Sequence, residues 1–287
     1  MQFAGPGSQM SAGPARAKAK HLAMRPQRRS GIWLVAVAAL PALPAGCSQA
    51  LPPAARQALI QAAQAQARGQ CSTATANLDR IIRDHPRAPE IGEAYFVRGL
   101  CRARAGQWDA AESDFRAAVE RSDRRDLIGR GRASLAMIAY RRGQWERAAD
   151  LYADAVRDLP DQRPTDQILY YAGVSLQRAG RWREAALQFS RILWKFRDSP
   201  VADHARLKGA WNYQYFSVQV GAFCDTDRAD AAIRAFAAKG LDARQEYRPG
   251  APGPRWVVMT GRYPTYADAV AALDRVRRIQ PDAHIIP

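Results

Sequence analysis

Cysteine and histidine are scarce in this chain, four of each in 287 residues, and their placement removes several classes of protein. Cys47, Cys71, Cys101 and Cys224 include no C-x-x-C pair, so neither a zinc site nor a disulfide framework is expected. His21, His85, His204 and His284 are scattered, read as surface residues, and suggest no metal centre. Also missing are a P-loop, a G-x-G-x-x-G turn, a Ser-His-Asp order and any pair of carboxylates set apart from solvated faces. Enzyme chemistry and a bound cofactor are therefore not expected. Acids are short as well, 27 Asp and Glu against 43 Lys and Arg, a net charge of +16 that would suit an anionic partner. Its distribution narrows that inference. Six basic and no acidic residues precede Cys47, whereas residues 213–287 hold ten basic and eight acidic ones. The C-terminal stretch is close to neutral and does not read as a phosphate-seeking patch.

The one apolar run near the start, Ile32 to Leu40, is too short to span a membrane. It follows Arg25, Arg28 and Arg29 and precedes Leu43-Pro44-Ala45-Gly46-Cys47, the order of a basic region, an apolar core and small residues found in secretory signals. Ala45-Gly46 before a cysteine resembles a bacterial lipoprotein signal, although Pro44 stands where that family prefers Leu. The resemblance implies a signal over 24–46, a lipidated Cys47 as membrane anchor, and a tether over 47–53. Ser48, rather than Asp, after the cysteine points to the periplasmic face of the outer membrane. Acyl chains contribute about 0.8 kcal/mol per buried CH₂, so two or more hold a protein at a membrane durably. Conventional cleavage with secretion to the periplasm, leaving Cys47 buried or paired, is the alternative. Residues 1–23 precede Met24 and read as a disordered extension or a misplaced start.

The middle of the chain repeats. Gly69, Gly106, Gly143 and Gly180 are spaced by 37 residues. Each is followed in fixed register by Ala74, Ala111, Ala148 and Ala185, then by Leu78, Phe115, Tyr152 and Phe189. Each is preceded by a small residue, Ala62, Gly99, Ala136 or Gly173. This is the pattern of a helix, a turn at glycine and a second helix, with small residues where the helices cross and bulky ones filling the space between hairpins. Trp108, Trp145 and Trp182 open three of the second helices. The array, over 54–198, resembles tetratricopeptide repeats lengthened by three residues, and a capping helix is expected over 199–212.

Such arrays bind protein partners in a groove lined by the first helix of each pair. On that face the register places Phe96, Leu100, Arg130, Met137, Tyr140, Tyr170 and Gln177, either as groove residues or as packing between hairpins. Cys71 and Cys101 fall in consecutive hairpins, and both a disulfide and a pair of reduced, packed thiols are compatible with that spacing.

The C-terminal stretch repeats on its own period. Val218-Gln219-Val220-Gly221-Ala222-Phe223 returns as Val258-Met259-Thr260-Gly261-Arg262-Tyr263, and each copy runs into a helix opening Ala-Asp-Ala. A strand-helix-strand unit written twice predicts a βαββαβ, ferredoxin-like α+β domain with a four-stranded antiparallel sheet. Strands are expected near 215–223, 241–247, 255–263 and 283–286, and helices over 227–238 and 266–279. The motif resembles the SPOR (sporulation-related repeat) family over 213–287. That resemblance implies binding of peptidoglycan, on glycan strands stripped of stem peptides at division septa, with an amide at the position of Gln219 taking part.

Strand alternation places Phe216, Val218 and Val220 under the helices. It leaves Ser217, Gln219, Phe223, Met259 and Tyr263 on an open face. Aromatic rings and an amide there would suit pyranose rings and their N-acetyl groups. RNA-recognition domains share this outline, but the basic and paired-aromatic RNP strand is missing, and no nucleic-acid partner is expected. The expected protein is thus a non-enzymatic, multidomain envelope protein, an all-α array followed by an α+β domain, that links membrane or partner to cell wall. An assembly scaffold whose C-terminal domain binds protein is the alternative.

Overall fold

The computed structural model describes residues 49–248 and 255–287, so the basic leader, the apolar run and Cys47 lie outside the described residues. Four helical hairpins come first: α1 (Pro53–Ala67) with α2 (Cys71–Asp84), α3 (Ile91–Arg104) with α4 (Trp108–Glu120), α5 (Arg125–Arg141) with α6 (Trp145–Asp158), and α7 (Thr165–Arg178) with α8 (Trp182–Lys195). One construction closes all four turns. Gly69, Gly106, Gly143 and Gly180 have φ of 82°, 77°, 71° and 77°, the left-handed conformation that ends a helix most cheaply when no Cβ is present. The next amide then reaches back to an orphaned carbonyl: Gln70 to Ala65, Gln107 to Arg102, Gln144 to Ala139 and Arg181 to Leu176, at 2.8–2.9 Å.

The small residues lie where the spacing requires them. A Cβ on Gly99 would stand 2.7 Å from the Phe115 ring, and one on Gly173 would stand 2.5 Å from the Phe189 ring. Ala136 meets Tyr152 in the same way within one buried cluster. Ion pairs bind successive hairpins together. Buried Asp114 on α4 accepts from Arg98 Nη2 at 2.6 Å and is 2.9 Å from Arg102 Nη1, while Arg98 also reaches Asp79 on α2 at 2.6 Å. Glu112 on α4 meets Arg142 and Arg147 of the next hairpin at 2.5 and 2.6 Å. Cys71 and Cys101 are free thiols beside one another. Burial and the neighbouring Cys71 push the Cys101 thiol up to about 12.

A short helix, α9 (Ala202–Gly209), caps the array. Its Ala205 packs into the cluster of Phe189 and Ile192. Beyond a linking segment comes the sheet domain: β1 (Phe216–Phe223), α10 (Thr226–Ala237), β2 (Ala243–Arg248), β3 (Arg255–Tyr263), α11 (Tyr266–Arg277) and β4 (His284–Ile286). The strand order β2-β3-β1-β4 is antiparallel throughout, as a doubled, split βαβ unit requires. Asp225 and Thr265 cap α10 and α11, accepting from the amides of Arg228 at 2.8 Å and Asp268 at 3.1 Å. Both helices cover one sheet face: Phe236 of α10 and Leu273 and Val276 of α11 pack over Val218, Val220 and Val258.

Two bulges correct the face assignment made from simple alternation. Between Gln219 and Gly221 the pairing of β1 with β3 slips by one residue, and it slips again between Phe216 and Val218 opposite Gly261, whose φ is +72°. Each bulge adds one residue and inverts the alternation beyond it. Phe223 and Tyr263 therefore turn to the helix face, where both pack against the domain core. Each ring lies over its own motif glycine, so that a Cβ on Gly221 or Gly261 would strike it. Neither aromatic is on the open face.

Candidate functional site

The sheet face opposite α10 and α11 is only partly open. After α9 the chain crosses it as Trp211-Asn212-Tyr213-Gln214-Tyr215. Trp211, 8% exposed, packs on Val257, Met259 and Ile286. Its indole N–H donates to the Tyr215 carbonyl at 2.9 Å, which ties the crossing segment back on itself. Arg248 lies 4.5 Å from the centre of the Trp211 ring, and Arg244 and Arg262 lie 5.6 and 5.8 Å from that of Tyr215. Met259, expected to face solvent, is fully buried under this cover. Ser217 is fully buried too, for a different reason. Its hydroxyl donates to the Gly261 carbonyl at 2.8 Å and accepts from Arg244 Nη2 at 2.7 Å, and Arg244 Nη1 donates to the same carbonyl at 2.9 Å. Ser217 thus satisfies the bulge and does not present a free hydroxyl.

Of the five residues placed on the open face, Gln219 lines a cleft to which the other four do not contribute. That cleft, of about 360 Å³, runs between the sheet and the end of the helical array. Its floor is Gln219, Ala222, Val257 and Ile286; Tyr170 of α7 and His204, Leu207 and Lys208 of α9 form the other wall. Arg248, Arg255, His284, Ile285 and Pro287 complete it, and no Asp or Glu is among the lining residues. Burial pushes the Lys208 ammonium down to about 8, with Arg178 adding repulsion. Burial lowers Arg248 as well, against the charge of Glu246 at 3.5 Å, and its Nη2 meets no hydrogen-bond partner among the described residues.

The groove residues divide. Phe96 and Leu100 pack between hairpins with Phe115, and Arg130 lies 5.2 Å over the Phe96 ring while pairing with Asp126 at 2.9 Å. Met137 accepts from the Tyr152 hydroxyl at 3.9 Å. Tyr140, Tyr170 and Gln177 instead meet the C-terminal half of the chain. Tyr140 contacts Trp145, which in turn stacks edge-on with Tyr266 of α11 at 5.5 Å. Gln177, 4% exposed, donates to the Lys208 carbonyl at 3.3 Å. Arg178 was not singled out by sequence, yet it sits at the centre of this junction, 5.0, 4.5 and 4.5 Å from the ring centres of Tyr140, Trp145 and Tyr266. Trp182 packs on Phe216 at 4.7 Å. The C-terminal end of the groove is therefore filled by this chain's own sheet domain. Among the described residues no group of three His, Cys, Asp or Glu is placed to hold a metal ion.

Comparison with known proteins agrees with this division. Residues 212–287 match the SPOR domain family, and residues 61–126 and 134–203 match a tetratricopeptide repeat family. The chain carries a SPOR domain behind tetratricopeptide repeats. Among 41 solved chains that match, a tetratricopeptide repeat protein from Parabacteroides merdae is 17% identical with a TM-score of 0.46, over 54% of this chain and 59% of that one. The chain thus spans less than two thirds of that protein's length. No curated protein matches the sequence.

Proposed function

We propose that this protein is a non-enzymatic cell-envelope linker. Its SPOR domain binds peptidoglycan on septal glycan strands stripped of stem peptides, and its repeats bind a protein partner. The observation that carries the wall-binding half is the cleft on the sheet of a SPOR domain with the Gln219 amide in its floor. A half-buried amide donates to one sugar group and accepts from another, and each such bond contributes about 1 kcal/mol net. The groove stretch from α1 to the part of α5 before Tyr140 is the part available to a partner, since Tyr140 and α7 meet the junction with the sheet domain. The basic leader and Ala45-Gly46-Cys47 support export and lipidation at Cys47, with the chain on the periplasmic face of the outer membrane.

The test is co-sedimentation of the full chain with purified sacculi, before and after amidase treatment. Binding should rise on treated sacculi; equal binding to both would remove the stripped-glycan assignment. Cys47→Ala should release the protein from membranes, and retention there would mean a different anchor. A scaffold whose sheet domain binds protein is favoured by one observation, the covering of Met259 by Trp211. In that case sacculi would bind neither form, and the sheet domain would bind the partner retrieved by the repeats.

A further inference from the structure

The cleft around Gln219 has two walls from different parts of the chain. The sheet supplies Gln219, Arg248 and Arg255; the last helices of the array supply Tyr170, His204 and Lys208. Its volume, about 360 Å³, falls within the about 300–1,000 Å³ of small-ligand sites. Arg248 and Arg255 are cross-strand partners in the β2–β3 register, so two guanidinium-bearing residues stand opposite one another at one edge. Glu246 lies 3.5 Å from Arg248 in an ion pair, and Lys208 and Arg255 make none among the described residues. Cations gathered against one another in a partly dehydrated cleft repel, and an anionic ligand removes that repulsion.

We propose that the glycan site is composite, closed on one side by the tetratricopeptide array, and that its cations take the lactyl carboxylates of muramic acid. The proposal rests on the peptidoglycan assignment above. Its chemistry follows from what amidase does. Hydrolysis of the amide between the lactyl group and the stem peptide frees one carboxylate on each muramic acid. A stripped strand is thus a polyanion as well as a strand without side branches. Lys208, Arg248 and Arg255 supply positive charge along the cleft, and Gln219 in its floor addresses the uncharged sugar groups. The array then has a second role: it completes the wall-binding site, and a sheet domain separated from it offers only one wall.

The experiment uses the full chain and amidase-treated sacculi, either untreated further or with their carboxylates capped as methylamides by carbodiimide coupling. Gln219→Ala reports on the sheet wall. His204→Glu, Leu207→Glu and Leu207→Lys alter exposed positions of α9, so the fold is kept, which a thermal melt verifies. Both glutamate variants should lose about tenfold in affinity, Leu207→Lys should keep or raise it, and capping should weaken the unmodified protein by a similar factor. Full affinity in both glutamate variants, with loss in Gln219→Ala, would confine the site to the sheet and overturn the composite wall. Undiminished binding to capped sacculi, or equal losses for Leu207→Glu and Leu207→Lys, would overturn the carboxylate assignment. No binding by the unmodified chain to either preparation would fail the peptidoglycan assignment itself.

Discussion

The guanidinium of Arg178, at the end of α7, lies 4.5 Å from the ring centre of Tyr266, the first residue of α11. The same group faces Trp145 at 4.5 Å and Tyr140 at 5.0 Å, so three rings from three helices surround one cation. Two rings belong to the repeats and one to the SPOR domain. Each well-placed cation–π contact contributes about 0.5–2 kcal/mol when desolvated. Arg178→Ala should therefore loosen the junction without unfolding either part. Limited proteolysis across residues 210–215 is the readout, with faster cleavage expected in the variant. An unchanged cleavage rate would show that the ring contacts, Trp182 on Phe216 and Trp145 on Tyr266, hold the junction without the cation.

Ser217 and Gln219 are neighbours on the same face, and substitution should separate their roles. Ser217→Ala removes a buried hydroxyl that joins Arg244 to the Gly261 carbonyl, and should cost about 1–3 kcal/mol of stability. Gln219→Ala should leave the melting temperature near that of the parent and reduce glycan affinity several-fold. Urea denaturation and sacculus binding on the same two variants distinguish these outcomes. A Ser217 variant of full stability would remove its assignment to the bulge.

Much of this architecture is legible in the residues because repeated physics repeats the letters. A glycine with positive φ, a small residue under an aromatic knob and a second helix opened by Trp recur in one register, so the hairpins follow from spacing alone. The sheet's open face is less legible. Alternation is a rule of period two, and the two bulges break it where the Gly221 and Gly261 motifs stand, which turns Phe223 and Tyr263 to the helices. The glycines were visible, but a glycine in a strand marks a bulge without saying which way the chain emerges. Burial of Met259 depends on Trp211, about 50 residues away in sequence, and no local pattern carries a contact of that range. The alternating run Trp211, Tyr213, Tyr215 was the available signal that an extended aromatic segment lay across a surface.

Gly173 should tolerate no side chain. Gly173→Ala would drive a methyl into the Phe189 ring, which is fully buried, and overpacking of this kind costs about 1–3 kcal/mol. Gly106, whose Cβ would meet nothing within 4 Å, offers the contrast. Its φ of 77° alone makes alanine costly there, by about 1–2 kcal/mol. Pairing Gly173→Ala with Phe189→Leu should recover part of the loss, whereas Gly106→Ala should gain nothing from the same change. Urea midpoints of the single and double variants measure both.

Glu112 sets an acid limit on the array. Burial pushes its carboxyl up, but hydrogen bonds from Arg147 and Arg142 and the charge of Arg116 bring it below its ordinary 4.5, to about 2. A carboxyl depressed on folding contributes stability that is complete above the unfolded value and is lost as pH falls through the folded one. Stability should therefore decline from about pH 4.5 towards pH 2, with a shallower decline in Glu112→Gln, which is less stable at neutral pH. Urea midpoints of both proteins across that range are the measurement; parallel curves would mean that Glu112 is not the group responsible.

In the proposed function, the cleft floored by Gln219 binds stripped glycan. The most direct test is the dissociation constant of the full chain for soluble glycan strands lacking stem peptides, by calorimetry, for the parent and for Gln219→Ala. Saturable binding that weakens about fivefold in the variant, as the loss of one hydrogen bond of about 1 kcal/mol implies, is the predicted result. Equal affinity in the two proteins would contradict it.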